Sequence, residues 1–338
     1  MAIIWAEGFE EDDTDTRGTA LNVSLSTAYG TNGRRGCLVG DNHNAYSASP
    51  AVPVASGGEN SIWWHCKIQV KEYVSQLVHY HNSTPETTMY LTGPSGQWQI
   101  LNYNGVTDSA AFGTFAIDTW YEVFIEKVYH ASTGSFKVWI NDSLELNLTS
   151  LNTGTIPSTT SMLAGGNSGS DVNSMWVMDM VMGDGSDSPN AALTFPLSLE
   201  AHTLLPDDNG NTSGLTGSDT NQVDNYLLVD ESDPDTADWC GSGTEGDLDT
   251  YSMGDLASTT ETIIGVIAEA VSAKSDSGAK YMRPVIRTSA TDYPGDSVAL
   301  SETYVMQRTV WDENPNTVSP WTGSEVNGIE VGAEVRDS

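Results

Sequence analysis

The sequence predicts an all-β chain folded as two sandwich domains, and a few observations lead there. Short apolar runs recur at roughly ten-residue spacing between turn-forming stretches, as in sandwiches and jelly rolls. Glycine is plentiful, at 32 residues, and Ser, Thr, Asn and Asp crowd the gaps between the runs. Several runs alternate with the period of two that half-buries a strand. At 338 residues the chain can bury two cores of ordinary size. The polar stretch Gly183-Asp184-Gly185-Ser186-Asp187-Ser188-Pro189-Asn190 marks the junction, giving domains over 1–188 and 189–338.

In the first domain, the run from Ser61 to Val70 places Ile62, Trp64, Cys66, Ile68 and Val70 on one face of a strand. Trp120 to Val128 alternates less cleanly. Ala131-Ser132-Thr133-Gly134-Ser135 has the glycine a hairpin loop wants, and Phe136 to Ile140 returns. Asn141-Asp142-Ser143 turns the chain into Leu144 to Leu148, completing an antiparallel meander. Met175 to Val181 is apolar on both faces, as a central strand is.

In the second domain, residues 206–224 are almost without apolar side chains and read as a long loop. Asn225 to Asp230 reads as a short strand, and a second acidic loop leads to Trp239. Thr260 to Lys274 fits either a helical or a strand face. Its β-branched first half favours a strand, paired with Lys280 to Thr288 across Ser275-Asp276-Ser277-Gly278. A short helix or turn is expected at 323–328, with Thr322 or Ser324 as its cap.

Thirteen basic residues face 46 acidic ones, a net charge of −33. Nucleic acid and anionic membrane surfaces are therefore excluded as partners, since both are held by cationic side chains. The charge describes a self-repelling surface. No apolar run approaches the ~20 residues of a membrane helix, and the start Met1-Ala2-Ile3-Ile4-Trp5 has no signal-peptide pattern. Cys37, Cys66 and Cys240 are too few and too widely spaced for a disulfide framework or zinc site. Cys37 and Cys66 lie in strand contexts and read as buried thiols, consistent with maturation in a reducing cytoplasm.

Candidate chemistry is sparse. His79 and His81 share a strand face, with no third metal ligand evident. Glu122 and Glu126 share a face with Phe124 between them and read as the solvated side of a strand. Glu245-Gly246-Asp247-Leu248-Asp249 reads as an exposed loop. Trp98, beside the turn Gly93-Pro94-Ser95-Gly96-Gln97, leads the candidates for stacking on a sugar, followed by Trp63 and Tyr103. A tryptophan beside a turn also packs against a domain rim. Asp12, Asp13 and Asp15, and separately Asp207, Asp208 and Asn209, carry the hard oxygen ligands that calcium prefers, without the spacing of an EF-hand; solvated loops are the plainer account. No cofactor is expected, calcium being the one ion the composition leaves open.

The C-terminal fifty residues carry a resemblance. Tyr304, then Asn314-Pro315-Asn316-Thr317, Pro320-Trp321-Thr322 and Val331-Gly332 are similar to the closing signature of a tailed-phage virion protein family. In the first domain, Trp5-Ala6-Glu7-Gly8-Phe9-Glu10, Gly33-Arg34-Arg35-Gly36-Cys37-Leu38, Thr119 to Val123 and Gly134 to Asp142 resemble the concanavalin A-like, laminin-G-like jelly rolls of phage structural proteins. Glucanases of that fold carry a Glu-x-Asp-x-Glu strand, for which this domain has no match. The resemblance implies a non-enzymatic component of a phage particle, whether head decoration, fibre, collar or tail-associated. It implies docking on other virion proteins and on copies of itself, with three-fold assembly expected. A lectin-like protein recognising host surface glycans is the alternative.

Overall fold

In the computed structural model, residues 2–7, 23–26, 36–39, 46–48, 52–53, 61–70, 75–81, 84–92, 97–102, 112–156, 159–166, 175–185, 196, 198–231 and 236–337 are described. They fall into two compact units, one running to Ala201 and the other beginning at His202. Both are β-sandwiches, the first of jelly-roll type.

The first unit holds strands β1 (Ala2–Glu7), β2 (Val23–Ser26), β3 (Gly36–Val39), β4 (Tyr46–Ala48), β5 (Val52–Pro53), β6 (Ser61–Val70) and β7 (Ser75–His81). It continues with β8 (Thr84–Thr92), β9 (Gln97–Asn102), β10 (Trp120–Val128), β11 (Gly134–Ile140), β12 (Ser143–Leu151), β13 (Thr159–Gly166) and β14 (Met175–Asp184). One sheet runs β12-β11-β10-β6-β14-β3-β2, with β1 on β14; the other runs β4-β13-β7-β8-β9, with β5 on β13. Alternation places the core: Ile62, Trp64, Cys66, Ile68 and Val70 join Val123, Ile125, Val138, Val177 and Met180 in one buried cluster. The β11–β12 hairpin turns on Asn141 and Asp142, both at positive φ (47° and 64°), the geometry that two-residue hairpins prefer.

The second unit holds β15 (Pro206–Ser213), β16 (Thr216–Gly217), β17 (Cys240–Gly241), β18 (Leu248–Met253), β19 (Val266–Ser272), β20 (Tyr281–Thr288), β21 (Thr291–Pro294), β22 (Val298–Ala299), β23 (Val305–Trp311) and β24 (Glu330–Arg336). Its main sheet runs β15-β18-β24-β20-β21, with β22 on β20. A ribbon of β19 and β23 forms a separate two-stranded sheet. Ile286, Trp321, Val326 and Ile329 form the core, against which Val266, Ile263 and Trp311 pack.

The structure corrects the sequence reading at several points in this unit. Residues 206–213, expected as loop, form edge strand β15, whose pairing with β18 is interrupted by register shifts. Asn225–Leu228, expected as strand, is one turn of 3-10 helix. The strand expected within 260–274 is present as β19, but it pairs with β23 and not with Lys280 to Thr288. That segment, as β20, is occupied by β24, β21 and β22. The short helix α1 (Gly323–Val326) has Thr322 as its cap: the Thr322 hydroxyl accepts from Glu325 N, and the Glu325 carboxylate accepts from Thr322 N.

The C-terminal signature residues are builders of this unit. Trp321 is buried and its indole N–H donates to the Trp311 carbonyl at 2.9 Å. Asn314, also buried, closes the 314–319 loop by bonds to Ser319, Asn316 and Val318. A Cβ at Gly332 would overlap the Asp249 carbonyl oxygen on the neighbouring strand.

Candidate functional site

A buried charged cluster lies on the outward face of the large sheet of the first unit. In β6 the residues between the core positions are Trp63, His65 and Lys67, and they point away from the sandwich interior. His65 has no exposed surface and Trp63 is 1% exposed, so this second face is covered as well. Residues 198–201 return to it: Glu200 pairs with Lys67 and Ala201 N donates to Asp179 Oδ1.

A β-bulge builds the centre of the cluster. β14 pairs with β6 through Met178↔Lys67 and then Val181↔His65, so the residues between carry one more than the partner strand. Asp179 takes φ 51° there, in the left-handed region. Met180 stays in the core, while the Asp179 carboxylate meets Lys67 Nζ at 3.0 Å. Lys67 Nζ also donates to Glu200 Oε1 at 2.8 Å. His65 Nδ1 lies 2.9 Å from the Asp179 carbonyl oxygen, which only accepts, so Nδ1 carries its hydrogen. His65 Nε2 lies 2.8 Å from Glu122 Oε1, a contact that needs one proton between ring and carboxyl.

The electrostatics follow from these contacts. Burial opposes the charge of Lys67, but Asp179 and Glu200 outweigh it and hold the ammonium above its ordinary value. Burial would raise the Glu122 carboxyl; His65, with help from Ser198 and Lys67, reverses the sign and holds it below its ordinary value. Glu122 and Glu126 are therefore not the solvated face of a strand. Their side chains are 18% and 12% exposed, and Glu126 accepts from Lys137 Nζ at 2.6 Å. Both carboxylates are held by basic partners, an arrangement that fixes a sheet face.

The second unit contains a comparable hub where a loop was expected. Asp249 is 1% exposed in β18. Its Oδ1 accepts from Gly214 N and Leu215 N at 2.6 and 2.7 Å. Its Oδ2 accepts from Asn225 Nδ2 at 2.6 Å and from the Tyr251 hydroxyl at 3.0 Å. Beside it, burial and neighbouring carboxylates push the Cys240 thiol up to about 11, although a hydrogen bond with Tyr251 acts the other way. Cys66 is likewise raised, chiefly by burial.

Of the sugar-stacking candidates, Trp63 is removed from contention. Its ring is stacked on Phe124, centroids 5.6 Å apart and planes 14° apart, within the covered face. Trp98 lies on β9 opposite Leu91. Tyr103 lies outside the described residues, as do Asp12, Asp13 and Asp15. Asp207 and Asp208 are exposed on β15, where Asp208 Oδ1 accepts from Asn209 N at 2.8 Å. Among the described residues no three His, Cys, Asp or Glu gather as metal ligands. Cys37 falls on β3, and His79 and His81 fall on β7.

Two surfaces were not assigned from sequence. The first is the ribbon. Val266, Ala268 and Trp311 face the core, so Ile267, Glu269 and Val271 of β19 and Met306, Arg308 and Val310 of β23 face outward. Glu269 and Arg308 pair across the strands. The second is the lobe of residues 216–231 and 236–241, where Val223, Leu227 and Trp239 are 65%, 51% and 45% exposed. An exposed tryptophan following an acidic loop was the available signal.

No family model matches the chain, and no curated protein matches it. Among solved structures it is similar to the binding domain of Paraclostridial Mosquitocidal Protein 1, at 9% identity over 54% of this chain and 48% of that one, TM-score 0.40. The chain thus spans about half the length of that domain. Domain 4 of AbnA, a GH43 extracellular arabinanase from Geobacillus stearothermophilus in complex with arabinotriose, is 12% identical over 56% of this chain and 96% of that one, TM-score 0.39. The botulinum neurotoxin type G receptor binding domain is 11% identical over 79% and 77%, TM-score 0.39.

Proposed function

We propose that this protein is a non-enzymatic docking component of a tailed-phage particle that assembles with copies of itself. The observation that carries the reading is the outward face of the ribbon. On a chain of net charge −33, two copies repel across most of their surface. The ribbon face departs from that charge: Ile267, Val271, Met306 and Val310 flank one neutralised pair, Glu269 and Arg308. Among the described residues β19 and β23 pair as strands only with each other. A neutral, part-apolar strip is where two acidic copies can approach, and homo-oligomers close such contacts symmetrically.

The C-terminal signature supports the virion setting, and its residues act as fold determinants. Three carboxylates considered for hydrolase chemistry, Glu122, Glu126 and Asp249, are each occupied in hydrogen bonds that hold sheets together. Mass spectrometry of purified particles tests the setting: the protein is expected among their components, and its absence would reject the reading. Val271→Asp adds a charge to the strip, and it is expected to reduce self-association at least ~10-fold in sedimentation velocity while leaving the circular dichroism spectrum unchanged.

A further inference from the structure

We infer that the lobe around Trp239 binds a neutral saccharide. The site is separate from the ribbon and shares no residue with it.

Trp239 is 45% exposed, so part of its indole stands in water and is open to a ligand. Its backbone is held on both sides by Ser218: Ser218 N donates to the Trp239 carbonyl at 2.7 Å, and Trp239 N donates to Ser218 Oγ at 3.4 Å. Gly241, two residues on in β17, lies beside the ring: a Cβ there would stand 3.4 Å from ring Cζ3 and 3.5 Å from Cε3, ordinary contact distances.

The polar rim carries several acceptors. Asp238 is exposed, with Oδ1 accepting from Ser218 Oγ at 3.4 Å. Asp219 and Asn221 are exposed on the adjoining turn and tied to each other, Asn221 Nδ2 donating to Asp219 Oδ2 at 2.6 Å. Underneath, fully buried Asn225 donates to Leu215 O and Asp249 Oδ2, anchoring the lobe to β18.

These features select the ligand class. A flat indole offers a negative π face to the weakly positive C–H face of a pyranose, and carboxylate and amide oxygens accept from its hydroxyls. Sialic acids, phosphates and uronic acids meet like charge from Asp219 and Asp238. An ammonium ligand is drawn to the same charges, but enclosure of a quaternary cation uses several aromatic faces, and among the described residues of 216–241 the other large hydrophobic side chains left exposed are the aliphatic Val223 and Leu227. One aromatic face and a few acceptors make each site weak, and avidity raises the apparent affinity where several copies act together.

The test is a printed array of cellotriose, mannotriose and chitotriose, with 3′-sialyllactose and a choline conjugate as further arms, probed with the labelled full chain. Binding to at least one neutral arm is expected. It should fall at least ten-fold in Trp239→Ala, persist in part in Trp239→Phe and weaken in Asp238→Asn. Trp98→Ala should leave it unchanged. Melting temperature and near-ultraviolet dichroism check that each variant is folded. No binding to any neutral arm, binding confined to the sialylated or choline arm, or neutral binding indifferent to Trp239→Ala would each overturn the assignment. None of these bears on particle mass spectrometry or sedimentation, so failure here is distinguishable from failure of the docking role.

Discussion

Lys67 holds two carboxylates at once, Asp179 with no side-chain exposure and Glu200 with 39%. Lys67→Met keeps the aliphatic stem and removes the charge that Asp179 and Glu200 share. Loss of one partner of a buried pair is expected to cost about 3–5 kcal/mol. Urea denaturation followed by hydrogen exchange of the β6 and β14 amides measures it, and Asp179→Asn in the same chain should recover most of the loss because the pair acts as a unit. The pH dependence follows the same contacts. Glu122 is held below its ordinary 4.5, so its contribution is present above that value and is lost as pH falls through the depressed one. Lys67 is held above its ordinary 10.5, so its contribution is present below that value and is lost as pH rises through the elevated one. Stability of the first unit should therefore be flat between those limits as far as these two groups decide it, and fall outside them in a pH series of urea midpoints.

At the scale of elements, β24 can lie beside β18 only because residue 332 lacks a side chain: a Cβ would overlap the Asp249 carbonyl oxygen and stand 2.9 Å from Thr250 Cα. Gly332→Ala is expected to break the central pairing of the second unit and abolish its cooperative unfolding, whereas Thr322→Ala removes one cap and should cost about 1 kcal/mol. Calorimetry separates the two outcomes. Strands such as β6 and β10 were legible in the sequence because apolar alternation marks them, although burial on both faces of β6 was not. β15, Pro206–Ser213, was not, since an edge strand rich in Asp and Asn is held by pairing with β18 and not by propensity. Asn225–Leu228 misled because its apolar run is too short to show a period of its own, and Asn225 reaches Asp249, 24 residues away. The partner of β19 was misjudged for a related reason: local hairpin chemistry at Ser275 to Gly278 was visible, and the distant β23 was not. The charged cluster was half legible. His65 and Lys67 stand out in an apolar strand, but contact with Glu122 and the Asp179 bulge exists only once β10, β6 and β14 lie side by side.

The whole molecule sets a net charge of −33 against a narrow neutral ribbon. Repulsion between copies is long-ranged and screened by salt, while the apolar ribbon contact is not, so the two respond oppositely to ionic strength. Association through surface ion pairs would weaken as salt rises; association through this ribbon should strengthen. Sedimentation velocity of the full chain from about 0.05 to 0.5 M salt, a range over which the screening length falls roughly three-fold, tests the docking claim most directly. A symmetric oligomer that grows with salt and is lost in Val271→Asp is predicted. A monomer at every salt concentration, or an oligomer that dissociates as salt rises, would contradict it.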